Sequence, residues 1–166
     1  AAGPQSRGEF RLARPPPRDY AGSVPSGLAP LVGGILGTVA MSALLLLPRW
    51  LGMGKIDVIP AVGALITGRT ENAFSIGYIV HFVSGIFFAY FYWAVLLLMK
   101  LPVVWWMFGM AGFIHGIVVM LLVCITVMEH HPISRYHERG PMTGLAQLLA
   151  HIVYGVVVGV VVQALQ

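Results

Sequence analysis

Three histidines stand inside apolar runs: His81 in "HFVSG", His115 in "GFIHGIVV" and His151 in "HIVYG". An ionisable side chain within a membrane span is costly and marks a functional site by default. Neutral imidazoles are tetrapyrrole ligands. Two of them at one depth on different helices, His81 and His151, can hold a b-type haem from its two faces, with glycines making room for the ring. A single one, His115 among them, can equally ligate the Mg of a chlorophyll. The competing reading needs no ligand: each imidazole hydrogen-bonds a neighbouring helix, with Ser84, Tyr78, Tyr154 and Gln147 on offer as partners. The aromatics Phe82, Phe87, Phe88, Tyr90, Tyr92, Trp93, Trp105 and Trp106 can wall a pigment, or serve as packing and interface anchors.

A second group lies in "EHHPISRYHERGP", where Glu129, His130, His131, His137 and Glu138 are ligand types for Zn or Cu. Their spacing matches no zinc motif, and adjacent His130 and His131 diverge on any regular backbone. A solvated polar loop accounts for them as well. Beyond these groups the chemistry is thin. The sequence holds no Ser-His-Asp arrangement, P-loop or Gly-rich phosphate turn, and no Asp or Glu stands inside an apolar run. No enzyme is expected. A proton path through His115 and Glu129 is conceivable, but four spans with no Pro-broken helix make a poor solitary transporter.

The elements that must position these residues follow from composition. Of 166 residues, 58% are hydrophobic and 10% charged, and the mean hydropathy is +0.84; soluble domains carry roughly 25% charged residues. About 20 apolar residues cross the hydrocarbon as a helix, which predicts spans near 29–47, 73–99, 102–128 and 142–165. No alternation of apolar and polar residues points to a β-barrel. The net charge of +4 comes from Arg in the N-terminal segment and beside helix ends, ordinary topology signals, so nucleic acid is not an expected partner. Cys124 is the only cysteine and excludes an internal disulfide.

Each span carries a small-xxx-small pair: Gly33 with Gly37, Gly85 with Ala89, Gly112 with Gly116, and Gly155 with Gly159. Lipid tails give no hydrophobic drive between helices, so small residues that let backbones approach must supply the packing. His81 precedes Gly85 by four residues and His151 precedes Gly155 by four, which puts each His on the small-residue face. The chain thus reads as two helix hairpins of related design, and duplication alone would repeat the motif. At ~1.5 Å per residue, His81 and His151 lie roughly 12–14 Å from the loop side, with His115 one to two turns deeper.

Residues 1–28, rich in Pro, Gly, Ser and Arg, cannot fold alone. Pro15–Pro17 favours an extended arm, either a strap along a partner or lipid head groups or a loose tail. In the long connector after the first span, Val58, Ile59, Val62, Leu65 and Ile66 follow helical spacing, predicting an interfacial helix over 57–68 with Asp57 as cap and Pro60 in its first turn. The second and third spans join through "KLP" (100–102), which predicts a tight antiparallel hairpin. Basic residues balance across the two sides and leave orientation open; a chain starting at Ala1 fits loss of an initiator Met, which would put the termini in the cytoplasm.

"IPAVGALITGR…GYIVHFVSGIFFAYFY", with the closing "LAHIVYGVVVG", resembles a family of small four-span bacterial membrane proteins of unknown function, from about Gly33 to the C-terminus. The resemblance implies a four-span fold and a membrane location, and no chemistry. The expectation is therefore an all-α membrane protein: a compact bundle of four transmembrane helices with a short interfacial helix between spans 1 and 2. Its expected role is a small accessory subunit of a larger membrane complex, respiratory or photosynthetic, in a bacterial inner membrane. Other membrane subunits and the bilayer, with structural lipid, are its expected partners. A haem-binding electron-transfer subunit using His81 and His151 is the alternative, and a small transporter or channel the third class.

Overall fold

The structure is a computed structural model that describes residues 27–50, 57–122, 130–137 and 141–166. The expected arm (1–28), apart from its last two residues, lies outside them, as do Glu129 and Glu138. The chain is all-α. The helices are α1 (Leu28–Trp50), α2 (Val58–Thr67), α3 (Ala73–Leu98), α4 (Trp105–Leu122) and α5 (Pro141–Leu165), with a 3-10 turn at Ser134–Tyr136 before α5. Four of them, all but α2, are long and apolar enough to cross a bilayer, as an integral membrane protein requires. The third span was expected to reach residue 128; α4 is described to Leu122.

The four long helices run alternately up and down, and the packing is uneven. Helix α5 packs closely against α4 and α1, and α1 also packs against α3, whereas α3 and α4 barely approach each other. The glycines explain the close pairs. A Cβ placed on Gly155 would strike Phe108 O, and one on Gly112 would strike His151 O, so the backbones of α4 and α5 meet directly. Farther along the same seam, a Cβ on Gly159 would stand 2.7 Å from Trp105 Cα, and one on Gly116 would stand 3.0 Å from His151 Cβ. Where α1 meets α5, a Cβ on Gly33 would be 3.2 Å from Val158 O and one on Gly37 would be 2.9 Å from Tyr154 Cδ2. Between α1 and α3, a Cβ on Gly85 would collide with Thr38 Oγ1, and one on Gly34 would lie 3.1 Å from Ala89 Cβ. All eight small residues singled out in the sequence thus stand at helix contacts. The core so formed holds Met41, Leu45, Tyr92, Leu96, Phe108, Tyr154, Val158 and Val162.

The expected tight α3–α4 hairpin is corrected. The connection is short, with Lys100 turned left-handed at φ 55°, but a short turn fixes only where two helices begin. No small-residue seam runs between α3 and α4. They touch instead through bulky rings, Phe88 and Tyr92 reaching His115.

Helix α2 is built as the periodicity predicts and ends at Gly68, whose left-handed φ of 67° lets its N–H reach Ala64 O at 2.8 Å. The Asp57 cap is corrected: its side chain makes no cap hydrogen bond, because its φ and ψ of −91° and 37° are not the extended values an N-cap takes. Its carboxylate lies instead 3.9 Å from the Arg135 guanidinium. Helix α2 is also fastened to the bundle. A Cβ on Gly63 would strike Ala73 O and one on Gly77 would strike Ile59 O.

Overpacking a tight seam costs typically about 1–3 kcal/mol. Gly155→Leu is therefore expected to lower the thermal midpoint of the purified protein in mild detergent well below that of Ala94→Leu, whose position is exposed. Equal midpoints would show that the seam is not where the bundle is held.

Candidate functional site

The buried chemistry of the bundle gathers on three helices. His81 lies about 12 Å along α3 from Ala73 and His151 about 15 Å along α5 from Pro141, at ~1.5 Å per residue. His115 was expected one to two turns deeper. The structure brings its ring to 4.8 Å from that of His151, edge to face. Residue counting from a loop assumes that all helices end in one plane; the glycine seam sets Gly112 and Gly116 opposite His151, and that contact fixes the level of His115.

Each imidazole has its own surroundings. In His151, Nδ1 lies 2.7 Å from the main-chain O of Gln147. The carbonyl can only accept, so Nδ1 carries the proton and Nε2 is left with a lone pair. In His115, Nδ1 and the Tyr92 hydroxyl share a hydrogen bond of 2.7 Å, and the Phe88 ring lies against the imidazole at 3.9 Å. In His81, Nε2 is buried and has no hydrogen-bond partner among the described residues, and the same holds for Gln147 Nε2. His115 thus bonds a neighbouring helix, His151 bonds the main chain of its own helix, and the buried Nε2 of His81 bonds nothing among the described residues. Tyr154 donates to Gly85 O, tying α5 to α3.

Two chambers open beside these residues. The outer, about 160 Å³, lies under α2 and is lined by Val58, Ile59 and Val62 together with His81, Gln147 and His151. The inner, about 180 Å³, is bounded by Met41, Phe88, His115 and Tyr154. His81, Ser84, Val119 and His151 line both. Beyond them toward the other end of the bundle stand buried Leu96, Phe108, Val158 and Val162. The chambers form a blind recess. Val80, His81 and Ser84 come from α3 and Val119 from α4, the two helices that diverge, so the recess lies behind the crevice that faces lipid.

A cavity of about 150 Å³ lined by apolar side chains takes one benzene ring. Each chamber is of that size. A tetrapyrrole has four pyrrole rings in one plane, and at the observed spacing of α3 and α4 neither chamber holds it. His81, with its free Nε2, keeps the chemistry of an axial ligand; His151, packed on His115, is less open to one.

The loop histidines do different work. His131 is buried, and both ring nitrogens are spent on main chain: Ile133 N–H donates to Nδ1 at 3.0 Å, so Nε2 carries the proton and donates to Ala61 O at 3.0 Å. His137 Nε2 donates to His131 O, and Tyr136 lies against the His131 ring at 4.7 Å with the Arg135 guanidinium 5.1 Å from its centre. His130 is exposed, and Glu129, the fourth expected ligand, lies outside the described residues. Among the described residues no three His, Cys, Asp or Glu come together as a metal-binding group. The loop is a latch on α2, which roofs the outer chamber.

Sequence reading named Tyr92 only as a wall or packing aromatic and missed its bond to His115, and it missed Thr38. Tyr92 was legible: His81, Gly85, Phe88 and Tyr92 continue one face of α3 at spacings of four, three and four. Thr38, which bonds Gly34 O at 2.7 Å and fills the space at Gly85, leaves no such trace, since small polar residues are common in spans.

A family profile, "Family of unknown function (DUF6789)", matches residues 24–166. The chain belongs to that family. DUF6789 thus covers the whole bundle, the recess and the latch, and begins near the end of the Pro/Arg-rich arm. No curated protein and no solved structure matches the chain.

Two outcomes follow from the site. Tyr92→Phe, which removes only the hydroxyl bonded to His115, is expected to cost about 0.6 kcal/mol and at most about 1.7, the range of interhelical hydrogen bonds in membranes; unfolding of the variant against the wild type measures it. His131→Phe keeps the ring and loses both main-chain bonds, so hydrogen exchange across 58–67 should quicken by tenfold or more, about 1.4 kcal/mol. Unchanged exchange in α2 would rule out the latch.

Proposed function

We propose that the protein is a small integral-membrane accessory subunit of a larger membrane complex, one of respiratory or photosynthetic electron transfer, and that its blind recess is a binding site. One observation carries this reading: the buried, unpartnered Nε2 of His81 at the wall of a cavity that ends against apolar core. A polar group left unpaired at membrane depth is costly, and a purely structural histidine would be expected to find a partner as His115 and His151 do. The blind end speaks against a pore. In this reading the bundle is a scaffold for one site and not a conduit, the membrane is a bacterial cytoplasmic membrane and the termini lie inside.

A haem-bearing variant of the same reading uses His81 and His151 as axial ligands and requires α3 and α4 to part. An absorption spectrum separates the two. The protein purified from its own membranes in mild detergent is expected to be colourless, without a Soret band, and to migrate on a native gel well above its own mass with defined companion proteins. Migration alone would count against the subunit; a reducible Soret band lost in His81→Ala would replace the colourless recess with a haem site.

A further inference from the structure

We infer that the recess takes the head group of a membrane quinone. This rests on the recess being a binding site and names its ligand class from three features of the molecule. The first is size: chambers of about 160 and 180 Å³ suit one substituted six-membered ring, against about 150 Å³ for a site that takes benzene. The second is polarity. The walls are mainly apolar, and Gln147, only 3% exposed, holds an unpartnered Nε2 there. An amide N–H2 is a donor only, so its missing partner is an acceptor, such as a carbonyl oxygen. His81 Nε2 is a second unpartnered atom on the same wall, and the Ser84 hydroxyl lines both chambers. A ring with two carbonyl oxygens answers both orphans, accepting from the Gln147 amide and from His81 in the tautomer that carries its proton on Nε2; a hydrocarbon answers neither.

The third feature is access. Helices α3 and α4 lack the small-residue seam that closes the other long-helix contacts, and Val83 and Phe87 beside the recess are exposed to the lipid side. A ligand already dissolved in the bilayer reaches the recess sideways between these two helices, with its isoprenoid tail left in the hydrocarbon. A water-soluble ligand would have to pass α2, which the His131 latch holds across the loop-side end. Water alone also fits chambers of this volume, at ~30 Å³ each, and is the competing occupant.

The test uses the full chain in lipid nanodiscs, titrated with a benzoquinone carrying a ten-carbon tail, with empty nanodiscs and decanol as controls for simple partitioning. Saturable uptake of one quinone per protein above empty discs is expected, and no such excess of decanol. Gln147→Leu and His81→Leu should each weaken binding about tenfold, the loss of one hydrogen bond whose partner stays buried. Val119→Trp, which fills the wall shared by both chambers, should abolish it, while Val118→Phe on the exposed side of α4 should not; helix content by circular dichroism shows that each variant is folded. No excess over empty discs, an equal excess of decanol, or full binding by folded Val119→Trp would overturn the inference. Companion proteins are scored on the same membranes before reconstitution. A protein that keeps its companions yet takes no benzoquinone contradicts the quinone and spares the subunit; one that takes it but migrates alone does the reverse.

Discussion

Backbone-to-backbone contact between α4 and α5 at Gly112 and Gly155 is the constraint on which the rest of the molecule depends. In hydrocarbon, burying leucine against leucine gains little over burying it in lipid, so helices associate where small residues allow dispersion contacts along the main chain. Helix α5 uses this on two sides, against α4 through Gly155 and Gly159 and against α1 where Gly33 and Gly37 receive Val158 and Tyr154. The most apolar windows of α1 and α5 are consequently 44% buried, against 22% for α3 and α4.

The asymmetry has a chemical consequence. A four-helix bundle closed by glycines at every seam would leave no room inside. Here the fourth seam, between α3 and α4, is bridged by rings, and rings meeting edge to face do not fill space as a backbone seam does. The gap behind them holds the three intramembrane histidines, Gln147 and Ser84. The same seam that draws α4 onto α5 sets His115 against His151, engaging those two imidazoles with each other and with Tyr92 and Gln147 O. His81, on the helix left out of that contact, keeps an unpaired nitrogen. Helix α2 and the loop from His130 to His137 then close the loop-side end, with His131 as the bolt.

Much of the architecture was legible before the structure. The four spans, α2 and the eight small residues at helix contacts follow from hydropathy, 3.6-residue periodicity and the physics of packing in lipid. Local signals were less secure. Asp57 has the right residue type for a cap, but a cap depends on backbone angles that composition does not encode. Lys100–Pro102 marks a short turn, yet a turn says nothing about whether the helices it joins stay together along their length. Within the site, the sequence identified His81, His115 and His151 but set His115 one to two turns below His151, because depth counted from a loop cannot show how one helix is displaced against another; their rings are in contact. The role of His131 was hidden for a similar reason: its partner, Ala61 O, is a main-chain atom 70 residues away, and no side-chain pattern announces it.

The claim that the glycine seam engages His115 and His151 and leaves the buried Nε2 of His81 unpaired is tested most directly by solid-state NMR of the protein in bilayers with 13C,15N-labelled histidine. The account predicts a cross-peak between the rings of His115 and His151, and a His81 Nε2 resonance without the signature of a hydrogen bond that shifts when the benzoquinone is added. Absence of the His115–His151 cross-peak, together with a hydrogen-bonded His81 Nε2 that ignores the quinone, would contradict it.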